Sequence, residues 1–335
     1  MDNLAVDNMI ERHETLVNTL SVAPEQICHV AFGVDNHYAR GMGVTLFSLL
    51  ENNPDILFHI HIFSTGLNAD VRGKLLKLAE NRAVAITLYG YNAARFDELP
   101  SIGRYGKSIY YRLFIPLLLK NVVTRVIYLD ADMLCVGSIR SLIDISMGDY
   151  TLCAVNDNKQ ARSTLCPELN LASGNYFNSG FLYINIPLWL ARKTTERLVA
   201  LITAKGGYFR FPDQDALNVV LENEVLLLPK KYNHIYDIIA NKPSYRPDVP
   251  ADTVIMHFTG KCKPWQLWGA GTLANLYFSY YQRTPWQTVP LDLPKHHKEM
   301  KRYAYILWLQ KRYSRSLLWL TKYIRNKYFH VGVAK

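Results

Sequence analysis

A chain of 335 residues, 49% of them hydrophobic, can bury a large core and is long for one domain without being clearly two. No apolar run approaches the ~20 residues that a bilayer-spanning helix needs, which excludes a transmembrane body, and Met1 to Gln26 is too polar for a secretory leader. The net charge of +10 is confined to the end of the chain, where eleven lysines and arginines from Lys295 to Lys335 stand against the single acid Glu299 and leave the preceding residues neutral overall. The tail, and not the body, is therefore expected to meet a polyanion. Cys28, Cys135, Cys153, Cys166 and Cys262 form no C-x-x-C pair and read as reduced core thiols of a cytoplasmic protein.

In chain order, Ile27 to Phe32 is a strand candidate, Gly33 to Tyr38 a polar loop and Ala39 to Leu50 a helix, the first half of a βαβ unit. The pattern recurs in strand Ile56 to Ser64 with helix Ala69 to Asn81, in Val84 to Tyr89, and in Val126 to Leu129. Tyr150 to Val155 and Phe181 to Ile186 are further strands, and Pro187 to Ala204 reads as one helix with proline in its first turn. Val225 to Leu228 and Thr253 to Phe258 complete the strands, while Asn241 to Pro250, with three prolines, reads as a surface loop. Strands alternating with helices imply an α/β fold whose mostly parallel sheet is covered on both faces. The expected division is an extension over 1–26, a catalytic domain over 27–283 and a basic, aromatic helical region over 284–335.

The apolar run Arg125 to Leu129 stops on Asp130-Ala131-Asp132. In an extended chain side chains at i and i+2 share a face, so both carboxylates can meet one cation, and hard oxygen ligands suit Mg²⁺ or Mn²⁺. A strand end that merely turns into solvent would look the same. His257, at the end of a strand candidate, offers a third ligand, and Gly260 and Lys263 beyond it suit a phosphate. Asp213-Gln214-Asp215 stands at a helix start, where Asp213 can serve as N-cap and the next two are spare for a sugar or a developing positive charge. Asn175 to Gly180 suits either close approach to a polar ligand or an ordinary tight turn. Arg112, a cation in an apolar helical run, calls for a carboxylate or phosphate partner.

In the tail, Tyr303, Ile306, Tyr313, Leu317, Leu320 and Ile324 fall on one helical stripe, opposite Lys301, Arg312, Arg315 and Lys322 with interleaved aromatics. That mixture suits an anionic membrane surface, and docking on the body or binding single-stranded nucleic acid are its competitors. A neutral body without a nucleic-acid motif favours the membrane.

Taken in order, Ala31-Phe32-Gly33-Val34-Asp35-Asn36-His37-Tyr38, Tyr111-Arg112-Leu113, Tyr128-Leu129-Asp130-Ala131-Asp132, Tyr176-Phe177-Asn178-Ser179-Gly180, Asp213-Gln214-Asp215, and His257-Phe258-Thr259-Gly260 with Lys263-Pro264-Trp265 resemble glycosyltransferase family eight, which includes the lipopolysaccharide core glucosyl- and galactosyltransferases. The resemblance implies a GT-A, Rossmann-like fold with a basic C-terminal helical extension. It places Gly33, Asp35 and His37 around uridine, and Mn²⁺ or Mg²⁺ on Asp130, Asp132 and His257. Gly260 and Lys263 would meet the diphosphate. Arg112, Asn178 and Asp213 would brace the acidic pair or the donor sugar, with Ser179 in the sugar pocket where alanine is common, and Gln214 would lie under the anomeric carbon beside Asp215.

Pro212 to Leu221 and Leu228 to Asn233 resemble the 1,2-glucosyltransferases of the family. The implied reaction is retaining transfer of glucose from UDP-glucose to the outer core of lipopolysaccharide on the cytoplasmic face of the inner membrane, with UDP-galactose and a 1,2 or 1,3 linkage as the alternative. Front-face attack and double displacement through Gln214 or Asp215 both remain open. The rivals are a membrane-surface UDP-sugar-binding protein without turnover and a sugar nucleotidyltransferase, against which stands the lack of a glycine-rich basic loop after the first strand.

Overall fold

A computed structural model describes residues 9–23, 26–97, 99–100, 106–240 and 249–329. The chain divides into two compact units, Met1–His234 with Asp252–Met256, and Ile235–Ala251 with His257–Lys335. The first unit runs through β1 (Ile10–Asn18), β2 (Ile27–Gly33), α1 (Ala39–Glu51), β3 (Leu57–Ser64), α2 (Ala69–Ala79), β4 (Val84–Tyr91), α3 (Tyr111–Leu118), β5 (Arg125–Leu129), β6 (Met133–Cys135) and α4 (Arg140–Ile143). It continues with β7 (Leu152–Asn156), α5 (Lys159–Leu169), β8 (Phe177–Asn185), α6 (Ile186–Ala191), α7 (Thr194–Lys205), α8 (Pro212–Val220) and β9 (Val225–Leu227). The strands β10 (His234–Ile235) and β11 (Ile255–His257) carry the chain from one unit to the other.

The large sheet has the order β1-β4-β3-β2-β5-β8-β7-β9. Its centre, β4-β3-β2-β5, is parallel, and β1 and β8 run against their neighbours. The parallel strands are largely apolar, and β3 and β4 are buried almost throughout. Entry into α1 is set by Asp35, whose Oδ1 accepts the backbone N–H groups of His37 and Tyr38 at 2.9 and 3.0 Å. Asn68 caps α2 by accepting the N–H of Val71. One core joins Ala31, Phe63 and Tyr91 of the sheet to Tyr111, Leu113 and Phe114 of α3. All five cysteines are free and buried.

Four expectations are corrected. The stretch taken as an extension contains β1, which pairs antiparallel with β4 at the sheet edge. The single helix over Pro187 to Ala204 is two, α6 and α7, separated where Lys193 turns left-handed at φ 49°. β8 begins at Phe177, four residues before the expected start at Phe181, so Phe177 to Gly180 is strand, with Phe177 and Asn178 paired to Asn156 and Val155 of β7. Most of the loop expected over Asn241 to Pro250 lies outside the described residues.

The fourth correction concerns the second unit, made of α9 (Thr272–Tyr281), α10 (His297–Leu309) and α11 (Tyr313–Tyr328). The single tail stripe is cut at Lys311, left-handed at φ 60°, and folds into a helical hairpin. Tyr303 meets Trp319 with ring centroids 5.2 Å apart, and Ser316 donates to the carbonyl of Ala304 at 2.8 Å. α10 buries Met300, Ala304, Ile306 and Leu307, whereas α11 buries nothing and leaves Tyr313, Leu317, Leu320, Ile324 and Tyr328 exposed. Among the described residues no helix is long and apolar enough to cross a membrane.

Burial lowers the His29 imidazole to about 4, with His59 beside it adding to the shift, and also lowers His59 and, more strongly, His61. Since the unfolded chain then takes up protons first, this contribution to stability is complete above the unfolded value of about 6.5 and is lost as pH falls toward about 4. Thermal unfolding followed from pH 7.5 to 4.5 is expected to show a shallower loss for His29→Gln than for the wild type; parallel curves would remove His29 from the acid response.

Candidate active site

Asp130-Ala131-Asp132 lies in a turn between β5 and β6 and not on the extended strand expected. Two features hold this turn. The N–H of Asp130 continues the ladder to Gly180 of β8 at 2.8 Å, and Thr45 of α1 donates its hydroxyl to the carbonyls of Ala131 and Met133 at 3.3 and 2.7 Å. Asp132 is buried and Asp130 half-buried. The carboxyl ends of parallel strands thus deliver the acids to one edge of the sheet, where ligands collect in open α/β folds.

Arg112 of α3 is buried against this turn. One terminal nitrogen donates to Asp130 Oδ1 at 2.8 Å, the other to the carbonyl and hydroxyl of Ser179 at 2.7 and 3.0 Å, and Nε lies 3.3 Å from Asp213 Oδ2. The guanidinium stacks on Tyr128, 4.7 Å from the ring centre, and the Tyr128 hydroxyl donates to the same Asp130 oxygen at 2.9 Å. Burial alone would lower the pKa of Arg112, but Asp130, Tyr128 and Asp213 outweigh it and raise it. The planar guanidinium fork lets one buried arginine bridge two carboxylates and a backbone carbonyl at once.

The opposite wall is built from β8 and the first turn of α8. Gln214 Oε1 accepts from Asn178 Nδ2 and the Ser179 N–H at 3.1 and 2.9 Å, and the Ser179 hydroxyl lies 3.3 Å from it. Its amide donates in turn to Asp157 Oδ2 at 3.1 Å, an oxygen that Asn178 Nδ2 also reaches at 3.1 Å. Asp157 and Asn233, which donates to Asn178 Oδ1 at 3.0 Å, were missed by sequence reading. The expected N-cap at Asp213 is not formed, because Phe211 occupies that position and Pro212 opens the helix. Asp213 instead receives the Ser179 hydroxyl at 3.2 Å, and burial raises its pKa against the pull of Arg112. Asp215 accepts from Phe211 N at 3.0 Å and from the Tyr176 hydroxyl at 2.5 Å, so it ties the helix start to the strand.

Gly33 closes β2 where an added Cβ would lie 3.0 Å from Tyr111 Cβ, so the backbone there cannot carry a side chain without displacing the tyrosine. His37 is exposed beside Asp35. In the second unit, His257 is buried, and its carbonyl accepts from the N–H groups of Tyr236 and Thr259 at 2.8 and 3.0 Å. Gly260 takes φ +81° with Asp237 packed where a Cβ would go, and Lys263 is buried with its ammonium on the Phe258 carbonyl at 2.8 Å. Asp130 and Asp132 offer two carboxylates whose hard oxygens fit Mn²⁺ or Mg²⁺ by donor chemistry, and His29, His59 and His61 are a group able to take a metal ion.

The chain matches the family described as Glycosyl transferase family 8 over residues 29–269, and that family's C-terminal region over 273–327. The lipopolysaccharide 1,2-glucosyltransferase of Escherichia coli K12 is 32% identical over 323 residues, 92% of this chain and 94% of that protein. The lipopolysaccharide 1,3-galactosyltransferase of Salmonella typhimurium is 30% identical over 307 residues, 89% of this chain and 91% of that protein. Among solved structures, the galactosyltransferase LgtC in complex with donor and acceptor sugar analogs aligns with a TM-score of 0.66 at 23% identity, covering 78% of this chain and 97% of that one. The fold is GT-A, as expected.

Proposed function

The chain belongs to glycosyl transferase family 8 and is a sugar-nucleotide-dependent glycosyltransferase, and from that premise we propose that it transfers glucose from UDP-glucose, with retention and in α-1,2 linkage, to the outer core oligosaccharide of lipopolysaccharide. The observation that carries the chemistry is the Gln214 carbonyl, fixed by the Asn178 amide and the Ser179 N–H on a wall shared with Arg112 and Asp213. The choice of sugar leans on the 1,2-glucosyltransferase relative, and the galactosyltransferase relative of similar identity supports UDP-galactose, in 1,2 or 1,3 linkage, as the second reading.

In this proposal Gly33, Asp35 and His37 receive the uridine, and Asn178 and Ser179 the hexose. Mn²⁺ or Mg²⁺ held by Asp130, Asp132 and His257 would supply charge neutralisation of the departing diphosphate. Lys263 and the backbone at Gly260 share that charge, and Arg112 holds the Asp130 carboxylate in place through their ion pair. The bond from the anomeric carbon to the phosphate oxygen breaks while the acceptor oxygen bonds on the same face, and the acceptor proton passes to the released phosphate oxygen. The partial negative charge of Gln214 Oε1 faces the positive charge that develops at that carbon. Gln214 Oε1 is a poor nucleophile with two N–H donors on it, and both oxygens of Asp215 are bonded, which favours front-face attack over double displacement.

The acceptor is amphiphilic and phosphorylated, so the exposed aromatic and basic hairpin of α10 and α11 is proposed to hold the enzyme on the anionic cytoplasmic face of the inner membrane. One assay tests the reading. UDP release is measured with Mn²⁺ for UDP-glucose, UDP-galactose and UDP-N-acetylglucosamine, with and without truncated lipopolysaccharide in anionic vesicles or in neutral detergent. Acceptor-dependent release from UDP-glucose alone, faster on vesicles, is expected. Preference for UDP-galactose selects the second reading, and no release from any donor leaves a binding protein.

A further inference from the structure

The sheet face that packs Phe63 and Tyr89 into the core changes character nearer the starts of β2 and β3. Parallel register sets His29 opposite His59 and Ala31 opposite His61, so three imidazoles leave the same side of the sheet. His29 Nδ1 lies 3.0 Å from His61 Nε2, the rings of His59 and His61 stack at 4.1 Å, and the candidate ligand atoms of the three all lie within 4.8 Å of one another. Two of the rings are anchored through their other nitrogen, His61 Nδ1 by the Tyr89 hydroxyl at 3.0 Å and His59 Nε2 by the Thr87 hydroxyl at 2.8 Å. Such outer hydrogen bonds fix the tautomer of metal-binding histidines and hold the ring plane.

We propose that His29, His59 and His61 form a second metal site, specific for a borderline ion such as Zn²⁺ and separate from the oxygen-rich acidic pair. Three imidazole nitrogens at about 2.0–2.1 Å with water in the fourth position is an established zinc arrangement, and nitrogen donors rank Zn²⁺ far above Mg²⁺ or Mn²⁺. Binding exchanges the hydrogen bond between His29 and His61 for metal–nitrogen bonds, and the displaced N–H moves to the other nitrogen of its ring, so no net proton is lost. Four residue steps along the strand, about 13 Å, separate His29 from Gly33 at the donor end of β2, so the ion clips β2 to β3 without entering the active site. The inference does not depend on which sugar is transferred.

The test uses the tag-free full chain, stripped with chelator and titrated with Co²⁺ and then Zn²⁺. Wild type is compared with Asp130→Asn/Asp132→Asn, His29→Gln, His59→Gln and Thr87→Val. Strong visible Co²⁺ absorption, displaced by Zn²⁺, is expected in the wild type and the acidic-pair variant and absent in both histidine variants. The histidine variants keep UDP release in excess Mn²⁺, which shows that they fold. Thr87→Val, which removes only the outer hydrogen bond, is expected to weaken Zn²⁺ binding by about tenfold to a hundredfold. No absorption in the wild type, or absorption that follows the acidic pair and ignores the histidines, overturns the proposal.

Discussion

Asp132→Asn is expected to slow donor-dependent UDP release by about a thousandfold, a rise of about 4 kcal/mol in the barrier. The substitution keeps size and shape and removes one negative charge. Asp132 is buried beside Asp130, while the turn that holds it is pinned by Thr45 and by the Asp130–Gly180 ladder bond, neither of which uses the Asp132 side chain. The fold should therefore survive, with a thermal midpoint close to the wild type, while the charge that a divalent cation needs is halved at its acidic pair. Release rates at saturating UDP-glucose and Mn²⁺, read beside a melting curve, separate the two effects. A variant within tenfold of the wild type would take the acidic pair out of the chemistry.

Arg112→Met is expected to cost about 3–5 kcal/mol of stability, the range for breaking a buried ion pair from one side. Methionine fills the apolar part of the site, but Asp130, Asp213 and the Ser179 carbonyl lose the guanidinium that each contacts. Burial already raises the pKa of Asp213, so without Arg112 that carboxyl is expected to take up a proton more readily still. Urea unfolding of Arg112→Met, Asp213→Asn and the double variant forms a cycle whose coupling reports the pair directly. Additive losses, or an unchanged midpoint for Arg112→Met, would show that the network adds no stability.

How much of this was legible before the structure depends on the kind of signal each residue carries. The parallel core announced itself because strands buried on both faces read as continuous apolar runs, as in Val126 to Leu129 of β5. β1 did not, because Ile10–Asn18 is a half-exposed edge strand with charges at Glu11, Arg12 and Glu14. The breaks at Lys193 and Lys311 are left-handed turns made by lysine, where no glycine or proline marks them. Asn178 to Gly180 carries turn-forming residues, yet pairing with β7 and β5 overrides that local preference. Asp130 and Asp132 could be found by their spacing alone, and Arg112 by its isolation in an apolar helix. Asp157 could not: it follows a strand as many solvated aspartates do, and only the fold brings Gln214 and Asn178 to its carboxylate from distant parts of the chain.

The buried cysteines give the molecule a practical property. Burial pushes the thiols of Cys28, Cys135, Cys153 and Cys262 up to about 12 and raises that of Cys166 as well. At pH 8 a thiol with that value is ionised to only about one part in ten thousand, and maleimides and iodoacetamides react with the thiolate. The native chain is thus a quiet background for spectroscopy: a single cysteine introduced on the surface of each unit would accept a fluorophore or spin label with the natural thiols left in place, and the distance between the two labels could be followed as donor and acceptor are added.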